Sequence, residues 1–68
     1  MSAQSIGKRI ATLRAARGFT QWQLAERVGL SRSAVAQWES GYSSPSAGIL
    51  VSVAKALRTS VDKILGAP

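Results

Sequence analysis

Residues 21–40, QWQLAERVGLSRSAVAQWES, restrict the fold more than any other stretch of the chain. They read as two short helices joined at Gly29, where a residue without Cβ takes positive φ at little cost. Ala25 falls where two crossed helices come closest. Val35 and Trp38, three residues apart, share one face of the second helix and close the core of the pair. Arg32, Ser33 and Gln37 are left on the opposite face. Crossed helices meeting over a small residue, with a polar outer face on the second, form a helix-turn-helix unit.

The flanking segments also carry helix marks, and no strand pattern competes. A first helix is expected over about residues 5–17, with Ile6, Ile10 and Leu13 on one face, Ser5 as N-cap and Gly18 just past its end. Thr20 and Gln23 make a T-x-x-Q capping box for the second helix, which points Leu24, Ala25 and Val28 inward. Ser31 caps the third helix and Gly41 ends it. After a loop, Ser46 caps a fourth helix running to about residue 58, with Leu50, Val53, Ala54 and Leu57 inward. Gly48 weakens that helix by about 1 kcal/mol relative to Ala. Ser60 caps a short fifth helix over 61–65, with Asp62 in the first turn, where the helix dipole favours an anion. The expected fold class is therefore all-α. One compact five-helix domain spans 1–68, its core lies at about 5–65, the helix-turn-helix at 20–40, and the ends 1–4 and 66–68 are frayed.

Composition narrows the function. A chain of 68 residues buries only about 60% of its unfolded surface, so self-association is expected to help it. It contains no Cys and no His, and its acids are Glu26, Glu39 and Asp62 alone. Disulfides, a metal site and a catalytic constellation all lack their residues, so neither a cofactor nor an enzyme is expected. The net charge is +6, with net +5 in residues 1–34 and +1 in residues 35–68. A basic half suits a polyanionic partner. No apolar run approaches the roughly 20 residues that cross a bilayer, and no signal peptide is visible. A cytoplasmic, nucleoid-associated protein is expected.

The text RIATLRAARGFTQWQLAERVGLSRSAVAQWESG followed by PSAGILVSVAKALRTSVDKIL resembles the lambda-repressor/Cro-like, or XRE-type, helix-turn-helix family over about residues 6–65. The matching features are Gln21, Leu24–Ala25, Val28–Gly29, Ser31, Val35, Trp38–Glu39 with Gly41, Pro45–Ser46, and Ala54 with Ala56–Leu57. The resemblance implies a five-helix fold, sequence-specific binding of double-stranded DNA, and a homodimer on a palindromic operator. Two departures stand out. Ala47–Gly48 replaces better helix formers, and Arg58–Thr59 replaces the Gly–Val that usually ends the fourth helix.

In such a unit the third helix enters the major groove with its N-terminal residues nearest the bases. Arg32 can bond guanine O6 and N7 together, Gln37 an adenine edge, Ser33 several bases, and Ala36 only a thymine methyl. Gln21 matches the family's phosphate position, and the open N–H groups of a helix N-terminus attract an anion. Thr20 and Trp22, its chain neighbours, and Ser31, the cap of the third helix, are further expected phosphate contacts. The family also contacts phosphate from the loop after the third helix, here Tyr42, Ser43 and Ser44. It places a charge pair at the positions of Arg14 and Glu39, which supports the third helix and aims Arg14 near the DNA backbone. Trp38 is expected in the core as structural support. Self-contact is expected around the fourth and fifth helices, at Ile49, Thr59 and Val61. The competing reading is an antitoxin or controller that docks a protein partner through Trp22 or the C-terminal surface.

Overall fold

Hydroxyl side chains fix where most of these helices begin. The computed structural model describes residues 3–66 and contains five helices: α1 (Ala3–Ala16), α2 (Gln21–Val28), α3 (Arg32–Ser40), α4 (Ala47–Ala56) and α5 (Val61–Leu65). Thr20, Ser31, Ser46 and Ser60 each stand at an N-cap, with the side-chain oxygen accepting from a first-turn N–H. At α2 the box is reciprocal. Gln23 N–H donates to Thr20 Oγ1 at 3.1 Å, and Thr20 N–H donates to Gln23 Oε1 at 2.8 Å. Each such cap contributes about 1 kcal/mol. Gly29 and Gly41 close α2 and α3 in the left-handed region, at φ 73° and 82°.

Two boundaries differ from the sequence expectation. Ser5 is not an N-cap, because α1 already includes Ala3 and Gln4; both are good helix formers, and nothing in the sequence stops the helix at residue 5. Residues 3–4, expected to fray, belong to α1, and Gly66 is a left-handed cap of α5. Met1, Ser2, Ala67 and Pro68 lie outside the described residues. The fourth helix stops at Ala56 rather than near residue 58. Arg58 then occupies φ 53°, the left-handed position that glycine usually fills. Thr59 N–H reaches back to Ala54 O at 2.9 Å, and the Arg17 side chain caps the exposed end, its Nε donating to Leu57 O at 2.8 Å and its Nη2 to Arg58 O at 3.1 Å. Arg58→Gly should relieve the left-handed strain and raise stability by about 0.5–1 kcal/mol. Chemical denaturation would register this as a higher midpoint at unchanged slope.

The core is one cluster built from every helix. Ile10, Leu24, Ala25, Val35, Trp38, Leu50, Val53, Ala54, Leu57 and Ile64 are buried. Ile6, Leu13, Phe19, Val28 and Leu65 pack at its edge. Fully burying each large aliphatic side chain contributes about 1.5–3 kcal/mol. Helix α3 rests on α1 and α2, α2 rests on α4, and α5 closes against α1 and α4. The α1–α3 contact is unusually close at Gly7. A Cβ built there would lie 1.8 Å from Trp38 O and 2.8 Å from Trp38 C. Only a residue without a side chain lets the two backbones meet at that distance, so Gly7 sets how α3 sits on its support.

Candidate nucleic-acid interface

Helix α3 turns its apolar side inward and leaves a polar strip outside. Val35 is fully buried and Trp38 is only 4% exposed. Arg32, Ser33 and Gln37 are exposed, with Ala36 half-buried between them. Ser33, Ala36, Gln37, Ser40 and Tyr42 line one shallow depression along this face. Ser40 extends the strip by a further helical turn beyond Ser33, Ala36 and Gln37. That i, i+3/i+4, i+7 spacing could have revealed it, but only the first turns of the helix were read as groove-facing.

The strip starts at the N-terminus of α3, and the first residue of α2, Gln21, bonds to Glu39 in the last turn of α3. Thr20 and Ser31 are exposed caps whose oxygens accept from Gln23 N–H and Ala34 N–H. Trp22, on the first turn of α2, is 65% exposed, and Tyr42, just past α3, is 83% exposed. Ser44 is exposed and Ser43 half-buried. Tyr42 lines the same depression as the strip, and exposed aromatic surface of this kind suits contact with sugar and phosphate rather than core packing.

A charged network sits under the strip and fixes its tilt. Arg14 Nε donates to Glu39 Oε2 at 2.6 Å and Arg14 Nη2 to Glu39 Oε1 at 3.0 Å, a bidentate pair. Arg14 Nη1 donates to Phe19 O at 2.7 Å, in the turn between α1 and α2. Gln21 Nε2 donates to Glu39 Oε1 at 3.0 Å. Glu39 thus ties α1 and α2 to the C-terminal turn of α3. The Glu39 side chain is 8% exposed and that of Arg14 18%. The hydrogen bond from Arg14 to Glu39 raises the guanidinium pKa, partial burial opposes this, and the Glu39 charge adds to it. The guanidinium expected beside the DNA backbone is thus engaged mainly inside the protein. The Gln21 amide, read from sequence as facing phosphate, keeps one amide hydrogen and its carbonyl oxygen for an outside partner. The resemblance pairs Arg14 with Glu39 and gives Gln21 a phosphate position, but it does not name Glu39 as the point where both meet.

Along the expected self-contact, Ile49, Thr59 and Val61 are half-buried, and Ile49 and Val61 pack partly on the core. Val51, on the outer side of α4, is 46% exposed and offers more apolar surface than either.

The comparisons with known proteins agree with this geometry. The helix-turn-helix family HTH_3 matches residues 10–64. The immunity repressor protein of Bacillus phage phi105 is 44% identical over 62 residues, covering 91% of this chain. The chain spans 43% of that repressor's own length. The phage P22 c2 repressor, solved in complex with a synthetic operator, superposes with a TM-score of 0.83 at 34% identity, over 87% of this chain and 89% of that one. The restriction-modification controller protein C.AhdI of Aeromonas hydrophila superposes with a TM-score of 0.87 at 32% identity, over 91% and 94% of the two chains. Fold, turn geometry and whole-domain match agree, and this chain belongs to the helix-turn-helix family HTH_3, of the XRE type.

Proposed function

We infer that this chain is a sequence-specific double-stranded DNA-binding transcriptional regulator of the phage, prophage or plasmid repressor kind. It acts in the cytoplasm, without catalysis or cofactor. The observation that carries the reading is the outward strip of α3, tied to α1 and α2 by the Arg14–Glu39–Gln21 network. Arg32, Ser33, Ala36 and Gln37 face base edges in the major groove. Thr20, Gln21, Trp22, Ser31, Tyr42, Ser43 and Ser44 face phosphate and sugar, with the uncommitted hydrogens of Arg14 near them. The similar P22 c2 repressor, solved on a synthetic operator, supports this arrangement.

A single strip reads few base pairs, so useful specificity calls for two copies on a palindromic operator. Their reading helices would stand about 34 Å apart, one turn of DNA. The α4–α5 side supplies the self-contact. Selecting binders from a pool of random duplexes tests both points. The expected product is a motif of two inverted half-sites, bound with an affinity that falls steeply as salt rises. Recovery of unrelated sequences at one common affinity would instead describe a general polycation. The similarity to a controller protein favours a second reading, in which regulation is coupled to a neighbouring protein system.

A further inference from the structure

A second groove runs between α1 and α5. Ser5, Lys8, Arg9, Thr12, Leu13 and Lys63 line it. Lys8, Thr12 and Lys63 are exposed, and Leu13 forms an apolar floor at the edge of the core. Arg9 closes one end, its guanidinium against Gly66 at the end of α5. The lining includes no carboxylate. Ser5 and Lys8 also border a depression shared with Glu39 and Ser40 at the end of α3; Arg9, Thr12, Leu13 and Lys63 do not, and α5 packs on α1 and α4, so a duplex lying along α3 does not account for Lys63.

We propose that the α1–α5 groove docks an acidic segment of another protein, with an apolar side chain of that segment on Leu13 and carboxylates reaching Lys8 and Lys63. Charge complementarity and the apolar floor select this occupant together. Lysine stems cover apolar surface while their ammonium groups stay in water, a lining that fits mixed acidic and apolar side chains better than a phosphodiester chain. A second copy of this chain does not fit. Its acids are Glu26, Glu39 and Asp62, one on each of three separate helices, and Glu39 is already held by Arg14 and Gln21. Because the Leu13–Lys63 part of the groove lies where α1 meets α5, the acidic segment and a duplex bind at the same time, and a partner docked there would travel with the DNA-bound protein. The proposal stands apart from the reading of bases by α3.

A fluorescein-labelled peptide containing Glu-Glu-Leu-Glu-Glu serves as the probe. It is titrated against the isotope-labelled chain by nuclear magnetic resonance and followed by anisotropy. Amide shifts should cluster at Lys8, Thr12, Leu13 and Lys63. The double variant Lys8→Glu, Lys63→Glu should weaken the peptide about tenfold. Lys55→Glu, an equal charge change on exposed α4, should change it less than about twofold. Both groove lysines are exposed, so the variants keep the fold, which circular dichroism checks. A random-sequence duplex should shift α3 and leave Thr12, Leu13 and Lys63 unmoved. The proposal is overturned if the peptide shifts spread over the whole surface, if the Lys55 variant weakens binding as much as the groove pair, or if the duplex moves Thr12, Leu13 and Lys63.

Discussion

Gly7→Ala is expected to lower stability by about 3 kcal/mol, a large share of the roughly 5 kcal/mol that holds a domain of this length. Helix propensity alone gives the opposite sign, since Ala is better than Gly inside a helix by about 1 kcal/mol. Packing decides the outcome. The added methyl would lie 1.8 Å from Trp38 O, a backbone atom that cannot rotate away. Trp38 O also accepts the Gly41 N–H at 3.1 Å, so moving it disturbs the cap of α3. Helices α1 and α3 must part, exposing Ile10 and Val35. Gly48→Ala is the matched control. Gly48 is also helical, but a Cβ there meets nothing within 4 Å, so the same substitution should stabilise by about 0.5 kcal/mol. Thermal unfolding should show the midpoint falling by about 15 °C for the first variant and rising by a few degrees for the second. Equal shifts in the two variants would mean that the α1–α3 approach is not as close as described.

Glu39→Ala is expected to cost about 3 kcal/mol. Removing one partner of a buried pair typically costs about 3–5 kcal/mol, and the slight exposure of Arg14 places this pair at the lower end. The loss has two parts. Arg14 keeps its charge and loses two of its three protein acceptors, and Gln21 loses its tie to α3. A double-mutant cycle separates them. Arg14→Ala should destabilise strongly in the native background and far less when Glu39 is already gone, with a coupling of about 2 kcal/mol. Strict additivity would show that the two side chains do not support each other. DNA affinity should fall in the Glu39 variant even where the chain remains folded, because the tilt of α3 is no longer fixed.

The sequence revealed the helices because their signals are local. Thr20 with Gln23, Ser31, Ser46, Ser60, Gly29 and Gly41 each mark a boundary through bonds to residues a few positions away. The inward positions followed from spacing, which is why Leu24, Val35, Trp38, Val53 and Leu57 were placed correctly. Ser5 misled because a residue that suits a cap can also sit inside a first turn when good helix formers precede it. Gly7, Arg17 and the meeting of Gln21 with Glu39 depend on partners far along the chain, and no local pattern encodes those distances. The end of α4 was misplaced for the same reason. Arg58 tolerates a left-handed backbone there, with Arg17 from the other end of α1 holding the neighbouring carbonyls. The outer strip of α3 was legible as the residues left over once the core was assigned, with Ser40 missed at its far end.

The central claim is that the outer side of α3 reads base pairs. Its most direct test repeats the duplex selection with Arg32→Ala beside the native chain, since Arg32 is exposed and its loss leaves the core intact. The account predicts that preference is lost at one or two base pairs in each half-site, worth about 1–3 kcal/mol per site read, while the rest of the motif persists. An unchanged motif from the Arg32 variant would contradict it.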